Sequence, residues 1–371
     1  MTMRWTFALI LVGTIAAPNA AQDKRRDDLK KPLVLASQGS FFVGGDKKPL
    51  SQTPPGRGDS GNRGNPLAVG DITVNQMYVQ YQIPPRGDQH VPVVMVHGCC
   101  LSSKTWETTP DGRMGWSEYF VRRDRPVYLA DQSSRARSGF DPTSINAVRE
   151  GSAPPSQLPN ILTATHQFAW TGFRFGPTFK TPFPDGQFPV EAVDELYKQM
   201  IPDLNATLPN PNPTLTNLGA LAVRLRGAVL MGHSESGFFP EQAALLNADG
   251  IKGLISIEMP CVMNPFGAPT QELTSEQIAV LAKIPTLVMF GDHLGDVQGL
   301  PMSWADFYQG CEKFVGRLKA AGGDAEMMYL PKMGIRGNSH MLMQDRNNLD
   351  LADLILNWID AHVEGKKGAR R

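Results

Sequence analysis

Short runs of consecutive apolar residues recur along the chain and are separated by longer, more polar segments. Pro92–Val96 is a continuous apolar run that ends at a His-Gly pair, which is typical of a central parallel strand. Met77–Ile83 partly alternates apolar and polar residues, as a half-buried strand does. Similar runs predict five further strands, at Val127–Ala130, Ala228–Met231, Leu254–Ile257, Thr286–Phe290 and Met327–Leu330.

Helices are predicted between the later strands. Thr274–Lys283 opens with Thr-Ser-Glu-Gln, which fits a capping box, and Trp304–Ala321 is a second helical segment. Near the end of the chain, apolar residues fall at i, i+3, i+4, i+7 and i+8, the pattern of an amphipathic helix: Leu351, Leu354, Ile355, Trp358 and Ile359. Alternating strands and helices predict an α/β fold, with a mostly parallel sheet covered by helices on both faces.

The stretch from residue 142 to residue 217 breaks this alternation. It is rich in proline, contains one predicted helix at Val190–Met200, and lies between two predicted strands, where a cap would be inserted. We therefore predict a core formed by residues 22–141 and 218–371. The inserted cap carries an aromatic cluster that includes Phe168, Trp170, Phe173 and Phe175.

The first residues of the chain have the features of an export signal. Arg4 supplies a positive charge, and Trp5–Ala17 is apolar but shorter than the roughly 20 residues that a membrane-spanning helix needs. Small residues follow at Ala20 and Ala21, so residues 1–21 are predicted to be a cleavable signal peptide. The alternative is an amphipathic or buried N-terminal segment. We expect an exported protein, periplasmic or secreted, without stable membrane insertion and with its four cysteines in an oxidising compartment.

Composition narrows the class of protein further. The 371 residues include 36 Lys and Arg against 36 Asp and Glu, so the formal net charge is zero. This balance argues against a nucleic-acid partner and against a polybasic membrane protein. Hydrophobic residues make up 41% of the chain, which excludes disorder as the main state. The 36 glycines and 30 prolines predict additional loops on an ordinary core.

A predicted strand runs into the sequence Gly-His-Ser-Glu-Ser at residues 232–236, and a helix is predicted at Pro240–Asn247. This pattern fits a nucleophile elbow, whose sharp turn leaves little room for side chains two residues before and after the serine. Ser236 stands at the second of these positions, where glycine is usual, and is still small. Ser234 is the predicted nucleophile. The alternative is a chance match in a turn rich in Gly and Ser.

A serine nucleophile needs a base, which in folds with this elbow follows the nucleophile along the chain. His340 lies after the last predicted strand and just before the last helix, and it is the predicted base. His293 is followed by a further helix and strand, and His362 lies within the last helix. The other histidines precede the serine: His90, His97, His166 and His233.

The loop after Pro92–Val96 is the predicted source of an oxyanion hole. The backbone N–H groups of Cys99 and Glu235 are the expected donors, and His97 is expected to be structural. The adjacent residues Cys99 and Cys100 leave three possibilities open: a metal site, separate pairing with other cysteines, or a bond to each other. The sequence has no CxxC motif or nearby histidine cluster to support a zinc site.

Several segments together resemble the esterase-713-like family of exported bacterial α/β-hydrolases, over nearly all the chain from Phe41 to Ile359. The segments are His97-Gly98-Cys99-Cys100-Leu101, Thr105–Arg113, Gly337-Asn338-Ser339-His340-Met341 and Gln344–Asn348. The resemblance implies an α/β-hydrolase fold and a carboxylic ester hydrolase with a Ser-His-Glu triad. It also implies a disulfide between Cys99 and Cys100, a homodimer, and no metal or organic cofactor.

Two residues compete for the third triad position. Asp292 ends the strand after which most α/β-hydrolases place their acid, so position alone favours it. Glu258 ends the preceding strand, and the longer Glu side chain suits the greater reach from that strand to His340. The family pattern puts its acid at this site, followed shortly by a cysteine, here Cys261. Glu258 is therefore the predicted acid, and Cys261 is predicted to pair with Cys311 on the helix after the next strand.

The predicted reaction is two-step acyl transfer from a small-molecule ester through an acyl-enzyme on Ser234. The cap aromatics Phe168, Trp170, Phe173 and Phe175 are candidates for an acyl or alcohol pocket, or for plain core. Two alternatives stay open at this point. The same triad can hydrolyse a lactone or an amide, because fold and triad do not determine the leaving group. The chain can also be a catalytically silent ligand-binding protein of the same fold.

Overall fold

Ten β-strands occur in the part of the chain that the computed structural model describes, which comprises residues 31–51, 69–205, 208–262, 271–297 and 303–365. The predicted signal peptide lies outside these residues. The strands are β1 Ser37–Val43, β2 Asp46–Ser51, β3 Val69–Val74, β4 Met77–Ile83, β5 Val93–Val96, β6 Val127–Asp131, β7 Ala228–His233, β8 Ile251–Ile257, β9 Thr286–Phe290 and β10 Ala325–Tyr329.

Eight of these strands form one sheet in the order β1-β4-β6-β5-β7-β8-β9-β10. The strands from β6 to β10 along this order are parallel, whereas β4 pairs antiparallel with both β1 and β6. In register, Val96 of β5 lies opposite Gly232 of β7, and Ile257 of β8 lies opposite Met289 of β9. The carboxyl ends of these central strands therefore meet at one edge of the sheet. β2 and β3 form a separate antiparallel pair.

The helices are α1 Trp116–Arg122, α2 Thr143–Arg149, α3 His166–Gly172, α4 Val193–Gln199, α5 Pro213–Arg224, α6 Phe239–Leu246, α7 Ser275–Leu281, α8 Trp304–Ala320 and α9 Asn348–Trp358. Val94 and Leu230 belong to a core cluster with apolar residues of α5, α6, α7 and α8. Their neighbours Met95 and Met231 point to the other face and are equally buried. Both faces of the sheet are thus covered, as the apolar runs predicted.

The predicted strands are confirmed. Met77–Ile83 and Thr286–Phe290 have the predicted bounds, and the ends of the other strands move by up to three residues. β10 begins at Ala325 and not at Met327, because this strand starts with an alternating pattern that a search for continuous apolar runs misses. The capping box of α7 is also confirmed: Thr274 accepts a hydrogen bond from Gln277 N–H, and the Gln277 side chain accepts one from Thr274 N–H. The α/β-hydrolase fold is therefore the observed architecture.

The segment predicted as a cap is more helical than its sequence indicated. The prediction of one helix at Val190–Met200 was incomplete: a short 3-10 turn precedes α4 there, and the segment also contains α2 and α3. These two helices are seven residues long, too short to show a clear apolar period. α5 begins at Pro213, before the predicted end of the cap.

None of the helices in the described ranges combines the length and the apolar character that crossing a membrane requires.

Candidate active site

A sharp turn places Ser234 at the carboxyl end of β7. Its φ of 56° lies in the left-handed region, as the strained turn of a nucleophile elbow requires. A Cβ on Gly232 would lie 1.9 Å from the Ser236 carbonyl oxygen, so only glycine fits there. The Ser236 hydroxyl accepts a hydrogen bond from His233 N–H at 3.1 Å and lies 3.0 Å from the Val96 carbonyl oxygen. This hydroxyl therefore ties the elbow to β5.

The loop after β5 packs closely against the backbone of the nucleophile elbow. A Cβ on Gly98 would lie 2.7 Å from Ser234 Cβ and 3.0 Å from the His233 carbonyl oxygen. This approach brings the next residue, Cys99, beside the serine. His97 is fully buried, its Nε2 accepts a hydrogen bond from Gln132 N–H, and burial lowers its pKa to about 4. These contacts fit the structural role that the sequence predicted for His97.

His340 and Glu258 meet on the same edge of the sheet. Nδ1 of His340 lies 3.3 Å from Oε2 of Glu258, and both side chains are fully buried. The ring of His340 stacks on Phe173 at 5.3 Å between centroids and contacts the ring of His233 at 4.6 Å. On its other side, His340 Nε2 is buried and has no hydrogen-bond partner among the described residues, Ser234 included.

The electrostatics of this pair are dominated by burial and by a buried arginine. Burial alone would raise the pKa of Glu258, but the charges of Arg174 and His340 outweigh it and lower this pKa to about 2. Burial lowers the pKa of His340, and Glu258 opposes that shift. Near neutral pH the pair is therefore a carboxylate beside a neutral imidazole, the state in which a histidine acts as a general base.

The competing acid Asp292 is engaged elsewhere. Its Oδ1 accepts a hydrogen bond from His293 N–H at 2.8 Å, and its Oδ2 accepts one from Gly337 N–H at 3.1 Å. These bonds brace the loop that leads to His340. The geometry therefore favours Glu258 over Asp292 as the partner of the histidine.

The side chain of Glu235, the residue after the nucleophile, enters a buried polar network. It accepts hydrogen bonds from Asn205 at 2.6 Å and from Gln132 at 3.2 Å, and it lies 3.4 Å from Arg135. Arg135 is also paired with Asp203 at 2.6 Å. Burial raises the pKa of Glu235 to about 7, with Arg135 opposing and Asp203 adding to the shift.

Three charged residues around the site were not predicted from the sequence: Arg135, Arg174 and Asp203. Each lies in a loop or a proline-rich segment and carries no local motif. Arg135 and Arg174 are each 1% exposed. An arginine in such a segment is usually solvated, so the sequence contained no signal that would have found them.

One of the two predicted disulfides is formed. Cys261 and Cys311 are bonded, which confirms that prediction. Cys99 and Cys100 are free thiols with their Sγ atoms 2.8 Å apart, beyond the roughly 2.05 Å of a disulfide. The bond that the resemblance implied is therefore not formed in this structure. A disulfide between neighbouring residues would have to close a small, strained ring. The two Sγ atoms are too far apart for that bond.

The four aromatic residues that were predicted as pocket candidates lie in different environments. Trp170, Phe173 and Phe175 are buried, whereas Phe168 is 37% exposed. Phe173 stacks on His340, and Phe175 lines a cavity of about 170 Å³ together with Phe183 and Phe188. Phe173 therefore lies directly against the predicted base.

Within the part of the chain that the structure describes, three groups of side chains lie close enough to share a cation. They are His90, Asp360 and Glu364; Cys99, Cys100 and Asp203; and Asp185, Asp292 and His293. Arg125 is already bonded to Glu364 at 2.7 Å, Arg135 to Asp203, and His293 to Asp185 at 3.0 Å. The first two groups therefore already have an arginine as a cationic partner within the protein.

Two known proteins are similar to this chain over most of its length. The solved structure of a bacterial esterase is 47% identical, with 90% of this chain and 98% of that one covered and a TM-score of 0.80. The probable secreted lipase phiG of a fungal species is 27% identical over an alignment of 318 residues that covers 76% of this chain and 85% of that protein. No family model matches the chain.

Proposed function

The chain belongs to the esterase-713-like family of α/β-hydrolases and is a carboxylic ester hydrolase, and from this premise we propose that Ser234, His340 and Glu258 form its catalytic triad. The substrate is a small-molecule ester. The reaction passes through an acyl-enzyme on Ser234. Ser234 and Glu258 directly follow the neighbouring strands β7 and β8, and His340 lies on the loop after β10. These positions at the carboxyl edge of the sheet support the assignment.

In the first step, Ser234 Oγ attacks the ester carbonyl carbon while His340 Nε2 takes the hydroxyl proton. Glu258 holds the imidazole through Nδ1 and stabilises the positive charge that develops on it. The tetrahedral intermediate then collapses. The new Ser234 ester remains, the bond to the alcohol oxygen breaks, and His340 returns its proton to the leaving alcohol.

The oxyanion of the tetrahedral intermediate is stabilised by the backbone N–H groups of Cys99 and Glu235. Gly98 supports this role because its lack of a side chain lets the loop approach Ser234 closely. Donors that are fixed before the reaction need no reorganisation when the charge appears. In the second step His340 takes a proton from a water molecule, which attacks the acyl carbon. The bond to Ser234 Oγ then breaks, Ser234 takes the proton back from His340, and the carboxylic acid is released.

The observation that carries the proposal is that the two ring nitrogens of His340 have different surroundings. Nδ1 faces an ionised carboxylate, and Nε2 is buried without a partner among the described residues. A buried ring nitrogen without a hydrogen-bond partner destabilises the fold, unless a substrate or the nucleophile supplies that partner during the reaction. The hydrogen bond from the serine hydroxyl is often long in a free enzyme and shortens when substrate binds.

A substrate screen tests the proposed function. Esters of graded acyl length and graded alcohol size are assayed with the wild-type protein, with Ser234→Ala as the blank. Hydrolysis by the wild type and background rates for Ser234→Ala are expected for every ester that is accepted. Equal rates for the two proteins would contradict the assignment of the nucleophile.

We also propose that the protein is exported and acts as a homodimer, with residues 142–217 as a cap over the site. The Cys261–Cys311 disulfide supports export, because such bonds persist in oxidising compartments. The lipase with which the chain shares 27% identity is described as secreted. N-terminal sequencing of the mature protein tests cleavage near residue 21, and light scattering tests the dimer.

A further inference from the structure

Arg174 is a buried arginine at the centre of the contacts around Glu258. Its Nη2 donates a hydrogen bond to Glu258 Oε1 at 2.7 Å, and its Nε donates one to the Asp292 carbonyl oxygen at 2.8 Å. The guanidinium carbon lies 5.0 Å above the Trp304 ring. Neither Arg174 nor Glu258 is exposed to solvent in its side chain. The pair therefore forms an ion pair inside the protein, beside the predicted base.

The buried pair of Arg174 and Glu258 costs folding free energy, which indicates that it has a role in the active site. Arg174 adopts a φ of 58°, in the left-handed region that a non-glycine residue rarely occupies. Its Nη1 is buried without a hydrogen-bond partner among the described residues. A buried ion pair usually adds little net stability, because desolvation of the two charges offsets their attraction. Fold stability alone therefore explains the arginine poorly.

The two oxygens of Glu258 are used for different partners. Oε1 accepts hydrogen bonds from Arg174 and from Gly291 N–H, whereas Oε2 faces His340. Fixing Oε1 from two directions sets the plane of the carboxylate. The orientation of Oε2 toward the imidazole is then determined before substrate arrives.

The segment that carries Arg174 also contacts the histidine directly. The Phe173 carbonyl oxygen accepts a hydrogen bond from His340 N–H at 2.9 Å, and the Phe173 ring stacks on the imidazole. Two consecutive residues of the predicted cap thus contact the base and the acid of the proposed triad. The predicted cap therefore also supports the proposed triad.

We propose that Arg174 is a positioning residue for the reaction: it orients the carboxylate of Glu258, so that the predicted cap supplies a necessary part of the catalytic centre. The inference rests on the proposed role of Glu258 as the triad acid. Arg174 acts on the reaction through Glu258, to which it donates a hydrogen bond.

Several other titratable groups lie close to the Glu258–His340 pair. His233 and Asp345 are buried nearby, and the Asp292 carboxylate is held by the loop before His340. The Arg174 charge lowers the pKa of both Glu258 and His340. Loss of that charge therefore lets the Glu258–His340 pair take up a proton at higher pH. The acid limb of kcat/KM should move upward.

The test is the pH profile of kcat/KM for Arg174→Met, with Arg174→Lys and Arg125→Met as comparisons. Arg125 is an equally buried arginine that pairs with Glu364 and Asp360, away from the site. Arg174→Met should move the acid limb upward by about one unit or more, the effect of removing an adjacent opposite charge. Arg174→Lys, which keeps the charge, should leave the limb close to its wild-type position, and Arg125→Met should not move it.

A double-mutant cycle with Glu258→Gln separates this inference from the proposed triad. If Arg174 acts through Glu258, Arg174→Met should lower kcat/KM at least tenfold in the wild type and by less than about threefold in the Glu258→Gln background. An equal factor in both backgrounds, or an unmoved acid limb, would overturn the inference while Glu258 stays assigned. Should Arg174→Met fail to fold, Arg174→Lys decides by its profile: a limb that moves although the charge is kept overturns the inference. A fully active Glu258→Gln would instead overturn the triad itself.

Discussion

Nδ1 of His340 lies 3.3 Å from Oε2 of Glu258, although 82 positions separate the two residues along the chain. The contact is made at the edge where the central strands of the sheet end. Glu258 follows β8 directly and has a φ of 57°, which turns the chain out of the strand. The histidine arrives on the loop between β10 and α9. The sheet thus brings together an acid and a base that the sequence holds far apart.

The first prediction concerns the identity of the acid. Glu258→Gln should lower kcat by about 10²–10⁴, because the amide neither stabilises the imidazolium nor enforces the tautomer of the ring. Asp292→Asn should cost at most about tenfold, since Asp292 braces the histidine loop through backbone N–H groups. Steady-state kinetics on both variants, with folding checked by circular dichroism, makes the comparison. A larger loss for Asp292→Asn would reverse the assignment.

The second prediction concerns pH. His340 must be neutral to accept the serine proton, and burial lowers its pKa below 6.5. Glu258 stays ionised over the same range, because its pKa is lowered to about 2. The acid limb of kcat/KM should therefore have its midpoint below pH 6.5, with activity lost as the pH falls through it. A midpoint above pH 7 in a profile from pH 4 to pH 9 would show that a different group controls the reaction.

The third prediction concerns the loop that supplies the first oxyanion donor. Gly98→Ala should lower kcat by about 10²–10³, comparable to the loss of one oxyanion donor, because the new Cβ would force the loop away from Ser234. Gly310→Ala in α8 is the matched control. A Cβ on Gly310 meets nothing within 4 Å, so this variant should keep full activity and gain up to about 1 kcal/mol of stability. A fully active Gly98→Ala would contradict the close approach.

The fourth prediction concerns the Cys261–Cys311 disulfide, which closes a loop of 50 residues. Replacing both cysteines with alanine should lower the free energy of unfolding by about 4 kcal/mol in the chain-entropy model. Denaturant unfolding of the double variant and of the wild type measures the difference. Because the bond lies outside the proposed triad, kcat of the folded variant should stay within about threefold of the wild-type value. A loss of activity without a loss of stability would contradict this structural role.

The central part of the fold follows from local patterns. The strands β5, β7 and β9 are buried on both faces, and their sequences contain continuous apolar runs for that reason. The nucleophile elbow is equally local, because the turn needs small residues at fixed spacing around Ser234. Both could therefore be predicted without any knowledge of tertiary contacts.

The residues that surround the triad could not be predicted in this way. Arg174 pairs with Glu258 across 84 positions, and Glu235 reaches Asn205 and Arg135 through contacts between separate loops. Such ion pairs depend on how segments fold over the sheet edge, and no residue spacing encodes that. The bond between Cys99 and Cys100 was implied by the family resemblance alone, and both residues are free thiols in the structure.

Reaction with a fluorescent organophosphonate tests the account most directly, because this reagent labels only an activated serine. The wild-type protein should be labelled once, and peptide mapping by mass spectrometry should place the adduct on Ser234. Ser236→Ala should still be labelled, since its hydroxyl serves to tie the elbow to β5. Ser234→Ala should stay dark. An adduct on any other serine, or continued labelling of a folded Ser234→Ala, would contradict the proposed triad.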